Sequence, residues 1–263
     1  MIACENWGRE MSEPQAVRIA MWSGPRNLST AMMYSFGARG DCRVVDEPFY
    51  AAYLARSGQQ HPMRDEILAA QPHDPVEVVS DLLGPCAQPV FYQKHMCHHM
   101  LPDMPLDWIS QVRNVFLIRH PNRVLASYAK KREGPSLLDI GFVQQAEVFD
   151  RVIASGSQPV VIDAKDIRDD PGGMLIKLCA RLDIPWTSNM LKWPRGGHPS
   201  DGVWAAHWYG AVHVSTGFAG PEAPVPQLDA QYDDIAKQAM PFYERLSASE
   251  FRISADDPVP PTA

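Results

Sequence analysis

The sequence predicts an α/β fold: a three-layer sandwich in which a parallel sheet is flanked by helices on both faces. Three observations predict it. Runs with strand character recur at 17–22, 42–46, 89–93, 113–118 and 159–163, with helical patterns between them. The chain has 263 residues, of which 45% are apolar and 21% charged, which suits one domain with a sizeable core. The first run leads through a tight turn into a helix, a unit that open parallel sheets use to bind anions.

The elements follow in order. Val17-Arg18-Ile19-Ala20-Met21-Trp22 is the first strand, Ser23-Gly24-Pro25-Arg26-Asn27-Leu28-Ser29-Thr30 the turn, and 28–38 the first helix. The free N–H groups and the helix dipole favour an anion at that turn; Arg26 adds a fixed cation, and Ser29 and Thr30 add hydroxyls. A turn with a Ser/Thr N-cap is the plain structural alternative. The second strand, 42–46, is broken by Pro48, which leaves Glu47 at its carboxyl end. Helical patterns follow at 63–70 and 75–83. The strand at 89–93 precedes Lys94-His95-Met96-Cys97-His98-His99, and the strand at 113–118 precedes Arg119. Pro121 suits the first position of a helix at 121–132, and Ser127 is about two turns along it. A helix at 138–155 and the strand at 159–163 complete the alternation. Helices at 171–182, 203–213 and 229–248 follow, separated by Pro- and Gly-rich loops at 194–202 and 217–226. No internal repeat or second-domain boundary is visible. We expect one domain over 16–253, a disordered or upstream-start tail over 1–15, and a disordered tail over 254–263.

The net charge of −7 argues against nucleic acid as a partner. The cations nevertheless concentrate near the motifs: Arg26, Lys94, Arg119, Arg123, Lys130, Lys131 and Arg132. A basic site in an acidic chain is what a small polyanion requires. The five cysteines, odd in number and without CxxC spacing, argue against a disulfide framework and for a reducing cytoplasm. No run is long enough to span a membrane, and the first ten residues lack a signal-peptide core, so no membrane insertion is expected. Oligomeric state is not legible.

Pro25-Arg26-Asn27-Leu28-Ser29-Thr30 resembles the PKSGTT or PRSGST loop of the P-loop sulfotransferase superfamily. Arg119 and Ser127, eight apart, resemble that family's 3′-phosphate ligands. The two motifs come in the family's order, about 90 residues apart. The resemblance implies a P-loop NTPase-like sulfotransferase fold. It also implies 3′-phosphoadenosine 5′-phosphosulfate as co-substrate, a small-molecule acceptor and no metal. By the same resemblance, Pro25 to Thr30 hold the 5′ end and Arg119 and Ser127 the 3′-phosphate. Arg26 replaces the loop lysine and neutralises the leaving phosphate. The family's YED segment resembles Asp163-Ala164-Lys165-Asp166 with Ala164 in place of Tyr. Arg195, out of register with the family's RKG triplet, is a candidate third 3′-phosphate ligand, a solvated loop arginine being the alternative.

Two candidates remain for the base. Glu47 matches the Glu that some family members use after the second strand; capping a helix is its plain alternative. The cluster from Lys94 to His99 resembles the family's KTH segment, but Met96 stands where the histidine base belongs, leaving His95, His98 or His99 to replace it. His98 is carried with Lys94, Arg26 and Glu47 as a catalytic candidate, and Lys94 would touch the sulfuryl oxygens. His95 and His99 also have the spacing of a helical zinc pair, without a third ligand. Other readings stay open. A P-loop kinase or NTPase is disfavoured because the loop lacks GK[ST] and Arg119 stands where a magnesium-holding Asp belongs. A non-catalytic nucleotide-binding member is kept open by Leu28, Met96 and Ala164. Residues between Phe49 and Pro85 and after Leu137 are expected to form the acceptor pocket.

Overall fold

The computed structural model describes residues 15–130 and 134–260. The expectations for residues 1–14 and 261–263, and for Lys131 and Arg132, lie outside the described residues.

Strands β1 (Val17–Ser23), β2 (Cys42–Asp46), β3 (Val90–Met96), β4 (Arg113–Ile118), β5 (Val160–Asp163) and β6 (Arg252–Ile253) form one sheet. Its order is β2-β3-β1-β4-β5-β6, and every pairing is parallel. Helices α1 (Ser29–Gly37), α2 (Tyr50–Ser57), α3 (Arg64–Ala70) and α4 (Pro75–Leu83) precede β3. Helices α5 (Pro121–Tyr128) and α6 (Phe142–Ala154) lie between β4 and β5. Then come α7 (Ala164–Asp169), α8 (Pro171–Arg181), α9 (Ala205–Trp208), α10 (Gly210–His213) and α11 (Ala230–Ser247). This is the α/β sandwich the alternation predicts. No helix among the described residues is long and apolar enough to cross a membrane.

Central position explains strand composition. Ile19, Ala20, Met21 and Trp22 of β1 are fully buried because β3 and β4 flank that strand and helices cover both faces. The edge strand β2 is only partly buried. Helix starts are written into the sequence. Asp74, His120 and Asp170 accept hydrogen bonds from the first turns of α4, α5 and α8, each of which begins with proline.

Some boundaries differ from the sequence expectation. β3 runs on to Met96, so Lys94 and His95 lie within the strand rather than after it. Helix α2 has no counterpart in the sequence reading; it begins where Glu47 turns the chain and ends at Gly58, at φ 68°. The helix expected at 203–213 breaks at Tyr209, whose hydroxyl is drawn into a buried charge cluster described below. The helix expected from 138 begins after Gly141, at φ 73°, where an added Cβ would lie 3.4 Å from the Gly24 Cα.

Parallel pairing sets all strand carboxyl ends on one edge. Ser23 pairs with Met96 and Leu117, Asp46 with Lys94, and Ile118 with Asp163. The turn after β1, Glu47, Lys94 and Arg119 therefore gather at one edge, beside β1 where the chain order reverses, which is where open α/β sheets bind ligands.

Candidate active site

The turn after β1 is strained and clamped. Arg26 and Leu28 adopt left-handed backbone conformations, with φ of 62° and 71°. Such non-glycine residues cost about 1 kcal/mol or more each and persist where the surroundings hold them. Here Asn27 Nδ2 donates to the Leu117 carbonyl at 3.2 Å. From α6, Gln145 Nε2 donates to the carbonyls of Trp22 and Leu117 at 3.1 and 3.0 Å. Gly24 is required by close approach: a Cβ there would sit 2.4 Å from the Ile140 carbonyl oxygen. No side chain caps the N-terminus of α1, so its first N–H groups stay available to an anion.

A cavity of about 380 Å³ opens above this turn. Pro25, Arg26, Leu28, Ser29 and Thr30 form one wall, and Arg119 and Ser127 continue it. Glu47, Lys94, Met96, His98 and His99 close the opposite end with Tyr50, His61 and Tyr209. Trp208, Val212, Gly217 and Ala219 cover it from the C-terminal segments, together with Arg168 of α7. The two motifs are thus joined by one space.

At the basic end, Arg26 Nε donates to Ser127 Oγ at 2.9 Å, and Arg119 Nη1 donates to the Arg26 carbonyl at 2.6 Å. Burial, and then the charge of Arg119, lower the pKa of Arg26 from its ordinary value. Arg119 Nη2 and Arg168 Nη1 both bond Glu222 Oε1, the latter at 3.0 Å, while Arg123 Nε lies 2.9 Å from Glu222 Oε2. Asn27 is buried and serves the loop itself rather than the cavity. Arg195 does not reach the site. It is exposed on a loop that Gly196 turns, at φ 114°, by donating its N–H to the His213 carbonyl at 2.8 Å.

At the acidic end, Asp46, Glu47, Lys94 and Tyr209 form a buried cluster. Lys94 Nζ lies 2.9 Å from Asp46 Oδ1, 2.5 Å from Glu47 Oε1 and 2.8 Å from the Tyr209 hydroxyl. Its three protons match these three partners, so in this arrangement the ammonium of Lys94, which also lines the cavity, is engaged by the cluster. Asp46 Oδ2 also accepts the Gly202 N–H at 3.1 Å, and Trp204 Nε1 donates to the Tyr209 oxygen at 3.0 Å. Glu47 has φ 41°, and its backbone is pinned by its N–H to the Lys94 carbonyl and by Gln71 Nε2 on its own carbonyl at 3.2 Å. Burial raises the Glu47 pKa against the opposing pull of Lys94. Burial would lower that of Lys94, but Asp46 and Glu47 outweigh it and the pKa is raised. Glu47 Oε2 has no hydrogen-bond partner among the described residues; His99 Nε2 is 4.0 Å away.

The three histidines separate. His95 is buried in the core, stacked on Trp22 at 4.4 Å, and burial drives its pKa down to about 3. It does not line the cavity, which removes it as a base. His99 is sandwiched between Tyr50 and Tyr53 at 4.4 and 4.9 Å, and burial, then the neighbouring His98, hold its pKa well below the usual value. His98 lines the cavity with its ring edge-on to His99. His95 and His99 lie on a strand and on the 3₁₀ turn after it, not on a helix, so the zinc-pair geometry is absent. Among the described residues no group of three or more His, Cys, Asp or Glu side chains could hold a metal ion.

Several site residues escaped sequence reading. Asp46 stood out only as the last residue of a strand, and Tyr209 lay inside a plain helical pattern. Arg168 and Glu222 carry no local signal, because their pairing joins positions 54 apart across a loop.

Comparison with known proteins bears on the family and the fold. The sulfotransferase domain family model matches residues 17–250. Two proteins of Arabidopsis thaliana are similar in sequence. Branched-chain-amino-acid aminotransferase-like protein 1 is 37% identical over 95% of this chain and 45% of its own length; protein 2 is 36% identical over 87% and 41%. The chain therefore spans less than half the length of these curated relatives. A sulfotransferase structure from Alicyclobacillus acidocaldarius superposes with a TM-score of 0.53 at 13% identity, covering 91% of this chain and 97% of that one, which shows a shared fold. With the matched span running from the first strand almost to the last, the chain belongs to the sulfotransferase domain family.

Proposed function

We propose that this protein transfers a sulfuryl group from 3′-phosphoadenosine 5′-phosphosulfate to a hydroxyl or amine of a small-molecule acceptor, with Glu47 as the base. One observation carries the proposal. A single cavity joins a cationic loop at a helix N-terminus to a buried carboxylate with a raised pKa and one uncommitted oxygen. The residues fit a phosphosulfate at the loop end. Arg26 and the uncapped N–H groups of α1 supply positive potential, and Ser29 and Thr30 supply hydroxyls. Arg119 and Ser127 are the nearby candidates for the 3′-phosphate.

In this mechanism Glu47 Oε2 takes the acceptor proton as the acceptor oxygen or nitrogen bonds to sulfur. The sulfur–oxygen bond to the phosphate breaks in the same displacement, and its electron pair leaves with the phosphate. Arg26 meets the charge that develops there. Being permanently cationic, it stabilises the leaving group without protonating it. Lys94 acts through Glu47: its ammonium opposes the rise in carboxyl pKa that burial imposes and so favours the ionised form. His98 and His99 line the acceptor end. His99 is neutral and offers a hydrogen-bonding edge between two tyrosine faces. The Trp208 and Val212 side chains and the Tyr50 ring favour an acceptor with an apolar body. No metal takes part in the proposed step. The free cysteines support a reducing, cytoplasmic setting.

The test is thermal unfolding with 3′,5′-diphosphoadenosine, 5′-AMP, or ATP with magnesium. Ligand at about 100 times its Kd adds about 2.7 kcal/mol and raises Tm by several degrees. Selective stabilisation by the 3′-phosphorylated nucleotide is expected. Stabilisation by ATP with magnesium alone would move the assignment to a kinase or NTPase, and none by any nucleotide would refute a nucleotide site.

A further inference from the structure

An anion already sits on the arginine expected to hold the 3′-phosphate, and it belongs to the chain itself. The Glu222 side chain is 1% exposed. Arg119 from the end of β4, Arg123 from α5 and Arg168 from α7 converge on its two oxygens. Arg119 is fully diverted. One Nη bonds Glu222, the other bonds the Arg26 carbonyl, and its Nε is buried without a hydrogen-bond partner. Arg119 in this arrangement offers the cavity no free fork, although it lines the wall.

Glu222 rides on a segment without helix or strand, residues 218–229. The same arginines hold its backbone. Arg168 Nε donates to the Gly220 carbonyl at 2.8 Å, and Arg123 Nη2 donates to that of Ala223 at 2.6 Å. Pro221, Ala223, Pro224 and Val225 around Glu222 are exposed, and the segment's apolar packing is confined to its ends, at Phe218 and Leu228. Three guanidinium groups around one carboxylate leave an excess of positive charge. A phosphate monoester, with more charge and a third oxygen, satisfies such a cluster better than a carboxylate does.

We propose that Glu222 is a built-in stand-in for the nucleotide 3′-phosphate, and that a 3′-phosphorylated nucleotide binds by displacing it together with the segment around it. Glu222 then sets how tightly such nucleotides are held, and its release opens the cavity wall formed by Gly217 and Ala219. The inference rests on the assignment of Arg119 to the 3′-phosphate. A glutamate that merely positions Arg119 would have the opposite effect on binding, so the sign of one measurement separates the two roles.

The experiment is calorimetric titration of the wild-type protein and Glu222→Gln with 3′,5′-diphosphoadenosine and with 5′-AMP. Because the apparent Kd is the intrinsic Kd divided by the competent fraction, Glu222→Gln should bind 3′,5′-diphosphoadenosine about tenfold tighter or more, with 5′-AMP unchanged. Weaker or unaltered binding of 3′,5′-diphosphoadenosine, with wild type still preferring it over 5′-AMP, overturns this inference alone. Equal binding of the two nucleotides by both proteins overturns the inference and the 3′-phosphate assignment together. Hydrogen exchange on the wild type decides independently of how the variant folds. The amides between Phe218 and Val225 should exchange faster with 3′,5′-diphosphoadenosine than with 5′-AMP, and slower exchange would refute displacement.

Discussion

Replacing Glu47 by Gln removes one proton acceptor and almost no volume. The amide retains an oxygen for Lys94 Nζ, now 2.5 Å from Glu47 Oε1, and Lys94 keeps Asp46 and Tyr209. Folding should therefore survive, and the pH dependence of stability gives an internal check. The Glu47 pKa is raised by burial, so the folded state holds the proton more tightly than the unfolded state. Stability associated with this group is full below the unfolded carboxyl pKa of about 4.3 and is lost as pH rises through the folded value. Glu47→Gln should remove that loss, so the stability of the variant relative to wild type should rise between about pH 4 and pH 8. Turnover should respond the other way. General-base catalysis contributes about 10²–10⁴-fold, so kcat should fall by about that factor while the Kd for 3′,5′-diphosphoadenosine holds. The fall corresponds to about 2.7–5.5 kcal/mol of transition-state stabilisation. Measured with an acceptor found by screening, the wild-type rate should show an acid limb, lost as Glu47 protonates, that the variant lacks. A variant that keeps kcat within tenfold of wild type, or retains the acid limb, refutes Glu47 as base and passes the role to His98.

Lys94→Met leaves Asp46 and Glu47 as neighbouring buried carboxylates without their cation. Such a loss costs about 3–5 kcal/mol, and thermal unfolding near neutral pH should report it as a Tm drop of roughly 6–20 °C. Unchanged Tm would mean that the cluster is neutral overall. Arg119→Ala should weaken 3′,5′-diphosphoadenosine about tenfold or more, because one charge-assisted bond is worth about 1.5–3 kcal/mol. Ser127→Ala should weaken it less, since that hydroxyl is already bonded to Arg26 at 2.9 Å. Titration calorimetry checks both, and unaltered affinity in Arg119→Ala would remove this arginine from the site.

The sequence by itself determined the fold class and pointed to the basic half of the candidate site. Alternating strand and helix patterns leave few ways to bury both faces of a sheet, and a parallel sheet places every strand's carboxyl end on one edge. The loop from Pro25 to Thr30, Arg119 and Glu47 were legible because each adjoins a strand end, so chain position alone sets them in space. Asn27 was legible as part of that loop but not as its clamp, since its partner, the Leu117 carbonyl, is 90 residues away. Tertiary structure alone decided the rest. Lys94 and His95 are adjacent on β3, where successive side chains face opposite sides of the sheet. Packing sent one to Asp46, Glu47 and Tyr209 and the other against Trp22. Tyr209 and Glu222 come from irregular segments near the C-terminus, whose paths follow from the charges they meet rather than from any local periodicity. A buried charge must find its partner wherever the fold brings one, and no pattern along the chain records that distance.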